Sequence, residues 1–273
     1  VSIQAGPAGP APEQAARAQA GGGSPVIQAV GLTLGFGKAT ILSDISLDVR
    51  RGAVTALLGP TGSGKTTLLR TLNRMNDKVT GYRHAGEVLL DGHSIWHPGM
   101  DAMWLRRKVG MLFQRPNPFP MSIMDNVVAG VRAHRMAGRA QLKSVAQERL
   151  TEVGLWDAVS GRLKDSPFRL SGGQQQLLCL ARALAIDPDV LLLDEPTSSL
   201  DPVATESIEA LIRTLVPRLT VVIVTHNLAQ ARRVSDQVIF LNKGRLVEHG
   251  ETKQVFENPA EEETANYVTG RFG

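Results

Sequence analysis

Apolar residues follow two rhythms along this chain. Short unbroken runs stand at Ala53–Leu58, Val190–Asp194 and Thr220–Thr225. Runs of that length read as strands buried on both faces. Val26–Val30, Ile45–Val49, Glu87–Leu90, Lys108–Phe113, Gln237–Leu241 and Arg245–Glu248 read as further strands, the first two in a small sheet with glycines around Phe36 between them. The second rhythm is helical. Apolar positions recur at helical spacing in Lys65–Met75 and Pro202–Leu215, and again in Met124–Arg132, Leu142–Val153 and Gln174–Leu184. Strand-like runs are scarce from Arg115 to Ile186, so this stretch is predicted to be a helical insertion. Strands alternating with helices on either side of it predict a largely parallel α/β sheet covered on both faces. No internal repeat is evident.

Composition narrows the class. The 273 residues suffice for one large or two small cores, and a hydrophobic share of 42% is ordinary for a soluble globular chain. No apolar stretch approaches the ~20 residues that a membrane-spanning helix needs. Any crossing of a bilayer falls to another chain. Val1–Ser24 is rich in Ala, Gly, Gln and Pro and lacks an apolar centre, which predicts a disordered tail rather than a signal peptide. Ordered structure is expected from Pro25. Cys179 is the single cysteine; it excludes an internal disulfide and fits a reducing cytoplasm. The net charge of +4 comes from dispersed basic residues, so nucleic acid is not expected as a partner.

Gly59-Pro60-Thr61-Gly62-Ser63-Gly64-Lys65-Thr66 matches G-x-x-x-x-G-K-[ST] at every fixed position, between an apolar strand and a predicted helix. Its glycines let backbone N–H groups turn inward around phosphate oxygens, and the following helix presents its positive end to the same anion. Lys65 is placed to reach the β- and γ-phosphates of ATP, the Thr66 hydroxyl to coordinate Mg²⁺, and Thr67 to add a phosphate contact. Asp194 and Glu195 close the most apolar run of the C-terminal half. A buried strand holds a carboxylate rigidly at its polar end. Asp194 is expected to bind Mg²⁺, directly or through water. Glu195 is expected to orient and polarise the attacking water, a role that contributes ~10²–10⁴-fold.

Leu170-Ser171-Gly172-Gly173-Gln174 stands sixteen residues before Leu191-Leu192-Leu193-Asp194-Glu195-Pro196. With the phosphate loop upstream, these stretches resemble the nucleotide-binding subunits of ATP-binding-cassette (ABC) transporters. The resemblance implies an α/β P-loop NTPase (RecA-like) core with an antiparallel β subdomain and a helical signature subdomain. It divides the chain into a tail, 1–24, and an ABC ATPase domain, 25–273. Within that domain, 25–114 and 187–250 form the core, 115–186 the helical subdomain and 251–273 a C-terminal segment.

The resemblance also implies roles. His226, at the exit of Thr220–Thr225, matches the switch histidine that contacts the γ-phosphate. Gln114 matches the glutamine that senses Mg²⁺ and the γ-phosphate and links the two subdomains. These two, with Glu195 and Lys65, make the expected catalytic set; Thr66, Gln114 and Asp194 make the expected metal set. Phe36 lies where the family places an adenine-stacking aromatic, and a core ring is the other reading of it. Ser171, Gly172, Gly173 and Gln174 match the signature that faces the γ-phosphate held by the opposite protomer. Ser198–Asp201 matches the loop along that seam, and Asp201 is counted with the nucleotide-binding residues. Two copies then enclose two ATP molecules head to tail, one self-complementary surface completing both sites. One departure stands in Gln174-Gln175-Gln176-Leu177-Leu178: most family members carry a basic residue where Leu177 stands. Local repacking and altered control of the ATPase are the two readings of it.

Leu72–Asp77, Arg115–Ile123 and Thr269–Gly273 resemble the ATP-binding subunit of the bacterial phosphate importer, and the likeness runs from about Pro25 to the C-terminus. It implies a peripheral ATPase on the cytoplasmic face of the cell membrane. Such a subunit drives inorganic phosphate uptake through two transmembrane permease subunits, with an extracytoplasmic phosphate-binding protein as an indirect partner. An importer for another solute, or a soluble ABC ATPase acting on nucleic acid or the ribosome, are the alternatives. A single phosphate loop and the lack of sustained heptads count against the last.

Overall fold

The computed structural model describes residues 24–198 and 200–271. The tail expected over 1–24 lies outside the described residues except for Ser24, as do Ser199 of the seam loop and Phe272 and Gly273 at the C-terminus. Strands β1 (Pro25–Phe36) and β2 (Ala39–Arg50) form a long hairpin. With β4 (Tyr82–Leu90) and the short β5 (His93–Ser94) they build an antiparallel sheet in the order β2-β1-β4-β5. The larger sheet takes β3 (Val54–Leu58), β6 (Val109–Leu112), β7 (Val190–Asp194), β8 (Thr220–Val224), β9 (Gln237–Asn242) and β10 (Arg245–Glu251) in the order β10-β9-β3-β8-β7-β6. Its neighbours run parallel except for the β9–β10 pair. A backbone hydrogen bond from Ser43 N–H to the Gly244 carbonyl, 2.9 Å, ties the hairpin to the β9–β10 turn.

Every residue of β3, β7 and β8 is buried. Because side chains alternate across a pleated strand, an all-apolar strand feeds two cores at once. Leu191 and Leu193 of β7, with Val221 and Ile223 of β8, enter one core. Helices α3 (Ile123–Ala133), α4 (Leu142–Glu152), α6 (Gly172–Leu184) and α7 (Pro202–Leu215) pack there through Val127, Leu150, Leu178 and Ile212. Val190, Leu192, Val222 and Val224 enter the other core. They meet Leu68 and Leu69 of α1 (Lys65–Thr71) and the inner face of the antiparallel sheet, Leu32, Leu34, Leu42 and Val88. Each such side chain contributes about 1.5–3 kcal/mol through removal from water.

The pattern reading located β7 and α7 to the residue. Its helix over Lys65–Met75 ends earlier, at Thr71. The Thr67 carbonyl is taken there by the Thr71 hydroxyl at 2.8 Å and the Asn76 amide at 2.9 Å, and Arg74 turns to φ 61°. Such local side-chain bonds compete with helix continuation. Strands β1 and β2 run longer than predicted, because polar Thr33 and Asp44 sit within the hairpin beyond the apolar runs. Four short helices were missed: α2 (Ala102–Lys108), α8 (Leu228–Val234), α9 (Thr252–Glu257) and α10 (Glu262–Val268); α5 (Trp156–Val159) is a single turn. Two of the four carried a visible start signal. Asp101 accepts from Met103 N–H and Asn227 from Gln230 N–H, as N-capping residues do.

Truncation in the middle of β7 tests the two-core arrangement. Leu192→Ala is expected to lower the free energy of unfolding by about 3 kcal/mol in a denaturant titration.

Candidate active site

The site is assembled at the ends of β3, β6, β7 and β8. Strand β3 delivers the chain into the loop Gly59–Gly64, where Gly59, Gly62 and Gly64 take φ of 144°, 81° and 98°. At Gly59 no side chain fits: a Cβ would lie 2.0 Å from the Leu241 carbonyl oxygen. Lys65 opens α1 and folds back under the loop. Its ammonium donates to the Gly59 carbonyl at 2.7 Å and the Pro60 carbonyl at 2.8 Å. Burial lowers the Lys65 pKa, and the carboxylates of Glu195 and Asp194 work against that shift. Ser63 is buried in the loop.

Asp194 ends β7 with its carboxylate buried. One oxygen accepts from the Thr66 hydroxyl at 3.0 Å and the other from Arg70 Nη2 at 3.3 Å. The next residue, Glu195, adopts φ 45°, and its N–H donates to the Val224 carbonyl of β8 at 3.0 Å. This bend turns its carboxylate away from the strand. Oε2 accepts from Gln114 Nε2 at 3.0 Å and meets His226 Nδ1 at 3.1 Å. A carboxylate oxygen only accepts, so the contact calls for the proton on Nδ1. Gln114 Nε2 also reaches Ser198 Oγ at 3.4 Å. His226 is set at the start of a loop in which the Thr225 hydroxyl accepts from Asn227 N–H at 3.0 Å, just before Asn227 caps α8.

A cleft of about 770 Å³ opens over these groups, lined by Gly59–Gly62, Gly64–Thr67, Glu195 and His226, with Ile41 and Tyr267. The structure thus gathers the loop residues, Lys65, Thr66, Thr67, Glu195 and His226 around one cavity, with Asp194 beneath and Gln114 alongside. Phe36 is elsewhere: its half-buried ring stands at the end of β1, 5.7 Å from the Tyr82 ring, and does not line the cleft. Tyr267 does, and sequence reasoning missed it. Its hydroxyl donates to the Gly59 carbonyl at 3.1 Å from a helix far along the chain.

Ser171, Gly172, Gly173 and Gln174 do not line the cleft either. They start α6. The Ser171 hydroxyl accepts from Gln174 N–H at 3.3 Å while the Gln174 side-chain oxygen accepts from Ser171 N–H at 3.1 Å, a closed capping box. Ser171 and Gly172 stay exposed. Asp201 caps α7 by accepting from Ala204 N–H at 3.0 Å. Leu177 is partly buried against the helical core, which favours local repacking as the reading of that departure. A second residue missed at sequence level is Gln176. It is buried, and its Nε2 donates to the Phe113 carbonyl at 3.0 Å and the Pro196 carbonyl at 3.3 Å. Those carbonyls immediately precede Gln114 and follow Glu195. Nothing in a run of three glutamines marks the last of them as the one that points inward.

Comparison with known proteins agrees with this geometry. The ABC transporter family model matches residues 42–198. The "Phosphate import ATP-binding protein PstB" of Mycobacterium intracellulare is 69% identical over 245 residues, 90% of this chain and 86% of that protein. PstB 2 of Mycobacterium tuberculosis H37Rv is 64% identical over 260 residues, 95% of this chain and 94% of the relative. PstB 1 of Vibrio cholerae is 52% identical over 242 residues, 89% of each. Among solved structures, cbiO1 of Clostridium perfringens, part of the ABC transporter complex cbiONQ, superposes with a TM-score of 0.74 at 28% identity, over 91% of this chain and 96% of that one. A bacterial Atm1-family ABC exporter with ATP bound gives 0.76 at 25% identity, over 94% of this chain and 44% of the exporter. The α/β P-loop NTPase fold, the antiparallel sheet beside it and the cleft geometry lead to one assignment: this chain belongs to the ABC transporter ATP-binding family, among the phosphate import ATP-binding proteins.

Proposed function

We propose that this chain is the ATP-hydrolysing subunit of an ABC importer that drives inorganic phosphate uptake through two separate transmembrane permease subunits. The observation that carries the ATPase reading is the meeting of Gln114, Glu195 and His226 on one carboxylate beside the phosphate loop. The cargo rests on the phosphate-import role named for relatives that share more than half of their aligned residues with this chain. No helix among the described residues is long and apolar enough to cross a membrane. In this reading the subunit sits at the cytoplasmic face of its permeases, as the importer role of its relatives suggests. An extracytoplasmic phosphate-binding protein would then deliver the cargo without touching this chain.

In this reading Gly59–Thr67 wrap the phosphates and Lys65 reaches the β- and γ-phosphate oxygens. Phe36 supplies the adenine platform by turning its ring from Tyr82 to the base. The donor set beside the phosphates suits Mg²⁺: the Thr66 hydroxyl, the Asp194 carboxylate and the Gln114 side-chain oxygen are all hard oxygen ligands. Thr66 and Asp194 already share a 3.0 Å hydrogen bond, and together with Gln114 they would hold the ion. When bound, Mg²⁺ neutralises phosphate charge. Glu195 orients the attacking water and takes its proton, and His226 fixes that carboxylate and contacts the γ-phosphate. Phosphoryl transfer is governed by positioning of this kind more than by covalent chemistry.

Ser171–Gln174 and Asp201 serve the nucleotide of a second copy. Their absence from the lining of the chain's own cleft supports this division of labour. ATP contacts both copies and closes the dimer; loss of the γ-phosphate opens it, and the permeases follow. The division into core segments 25–114 and 187–250, helical subdomain 115–186 and C-terminal segment 251–273 belongs to the same proposal. It puts the phosphate loop on the core and the signature on the helical part.

Lys65→Ala tests the function as a whole. Cells carrying it are expected to lose phosphate uptake while uptake of other solutes continues; unchanged phosphate uptake removes the cargo assignment. Gln176→Leu tests the tie between α6 and the catalytic residues. With the Phe113 and Pro196 carbonyls left unpaired, stability should fall by about 2 kcal/mol in a urea titration. Steady-state ATPase turnover should drop by about tenfold, while ATP affinity changes by less than about twofold.

A further inference from the structure

We infer that Arg182 of α6 is a positioning residue for Gln114: it clamps Asn117 and so fixes the backbone that aims the Gln114 side chain at Glu195. The inference deepens the proposed function and rests on the role given there to Gln114. Residues 113–121 belong to no helix or strand. Pro116, Pro118 and Pro120 have no N–H to donate. Holding this stretch therefore falls largely to side chains. On its near side, Gln176 Nε2 donates to the Phe113 carbonyl at 3.0 Å. On its far side, Asn126 Oδ1 accepts from Phe119 N–H at 2.7 Å, and Asn126 Nδ2 donates to the carbonyls of Phe119, Met121 and Ser122 at 3.1, 3.2 and 3.0 Å. Arg182 spans the middle. Its Nη1 donates to the Asn117 carbonyl at 3.1 Å and its Nη2 to the Asn117 side-chain oxygen at 2.9 Å. The guanidinium carbon lies 4.1 Å from the centre of the Phe119 ring. A planar fork suits two acceptors on one residue.

The grip reaches Gln114 because little soft chain lies between. Only Gln114, Arg115 and Pro116 separate the two pinned residues, Phe113 and Asn117. Pro116 fixes its own φ and restricts Arg115 before it. A shift of Asn117 is therefore passed back to Gln114 rather than absorbed. Gln114 Nε2 stands 3.0 Å from Glu195 Oε2, so misaiming it loosens that carboxylate. Gln176 and Arg182 both belong to α6, so one helix holds the Gln114 segment from both sides.

Arg182→Met keeps an unbranched apolar stem and removes the donors. Asn117→Ala removes only the exposed side-chain acceptor of Nη2 and leaves the carbonyl bond. Each is made on the wild type and on Gln114→Ala. Phosphate release from γ-labelled radioactive ATP is measured on the full chain, with MgATP affinity by calorimetry and thermal unfolding alongside. Arg182→Met is expected to lower kcat about tenfold and Asn117→Ala about threefold, with MgATP affinity within about twofold of the wild type. On the Gln114→Ala background each should change kcat by less than about twofold, because the group through which they act is gone. Asn117→Ala should unfold at the wild-type temperature, so it decides the matter if Arg182→Met does not fold. Wild-type kcat in Asn117→Ala overturns the inference alone. So does an equal fold loss on both backgrounds, the result of a merely structural role. Wild-type kcat in Gln114→Ala removes the role given to Gln114 and this inference with it, and a wild-type chain that does not hydrolyse ATP overturns the ATPase reading as a whole.

Discussion

Everything catalytic in this chain depends on the parallel register of β6, β7 and β8. The sheet order sets these strands side by side, with Leu112 level with Leu193 and Asp194 level with Val224. Parallel strands end on the same edge, so Gln114, Glu195 and His226 emerge together although they lie far apart in sequence. Strand β3, next to β8, ends on that edge too and brings the phosphate loop. This is the usual ligand position in open α/β sheets, outside the carboxyl ends of the strands. The Glu195–Val224 backbone bond and the positive φ of Glu195 then convert strand geometry into side-chain aim. The fully buried strands β7 and β8 make this register hard to shift, because a slip by one residue would exchange the two cores.

The same architecture is the basis of the proposal that two copies share each ATP site. Residues Ser171–Gln174 start a helix whose first turn is exposed, yet they take no part in the cleft that holds Lys65 and Glu195. Gln176, one turn later, faces inward and grips the backbone beside Gln114 and Glu195. Helix α6 therefore has an outward end free for a second nucleotide and an inward end tied to its own catalytic residues. A buried glutamine that joins three backbone segments resists independent motion of any of them. In the proposed two-copy arrangement, these contacts link the nucleotide at the outward end to the catalytic residues at the inward end.

Much of this was readable in the sequence, and the parts that were not share a cause. Strand β7 and helix α7 were located to the residue, because an all-apolar run and a capped, periodic helix are local signals. The phosphate loop was legible for the same reason: its glycines answer a backbone requirement that no other residue meets. Helix α1 was drawn too long, since Asn76 ends it from outside the periodic stretch. Tyr267 carried no local signal at all. It sits in a seven-residue helix, and its partner Gly59 lies 208 positions away. Gln176 is one of three adjacent glutamines, and only the helix turn separates its buried position from its neighbours. Phe36 shows the converse limit, since its family position is evident but its ring lies outside the cleft.

The central claim is that the signature of one copy completes the ATP site of another. Glu195→Gln keeps the shape of the carboxylate and its contact with Gln114 while removing its ability to take a proton from water. The most direct measurement is the mass of this variant in solution by light scattering, with and without MgATP. The account predicts no hydrolysis and an ATP-dependent doubling of mass, reversed when ATP is withdrawn. A variant that binds MgATP, does not hydrolyse it and remains a monomer at every protein concentration would contradict the claim.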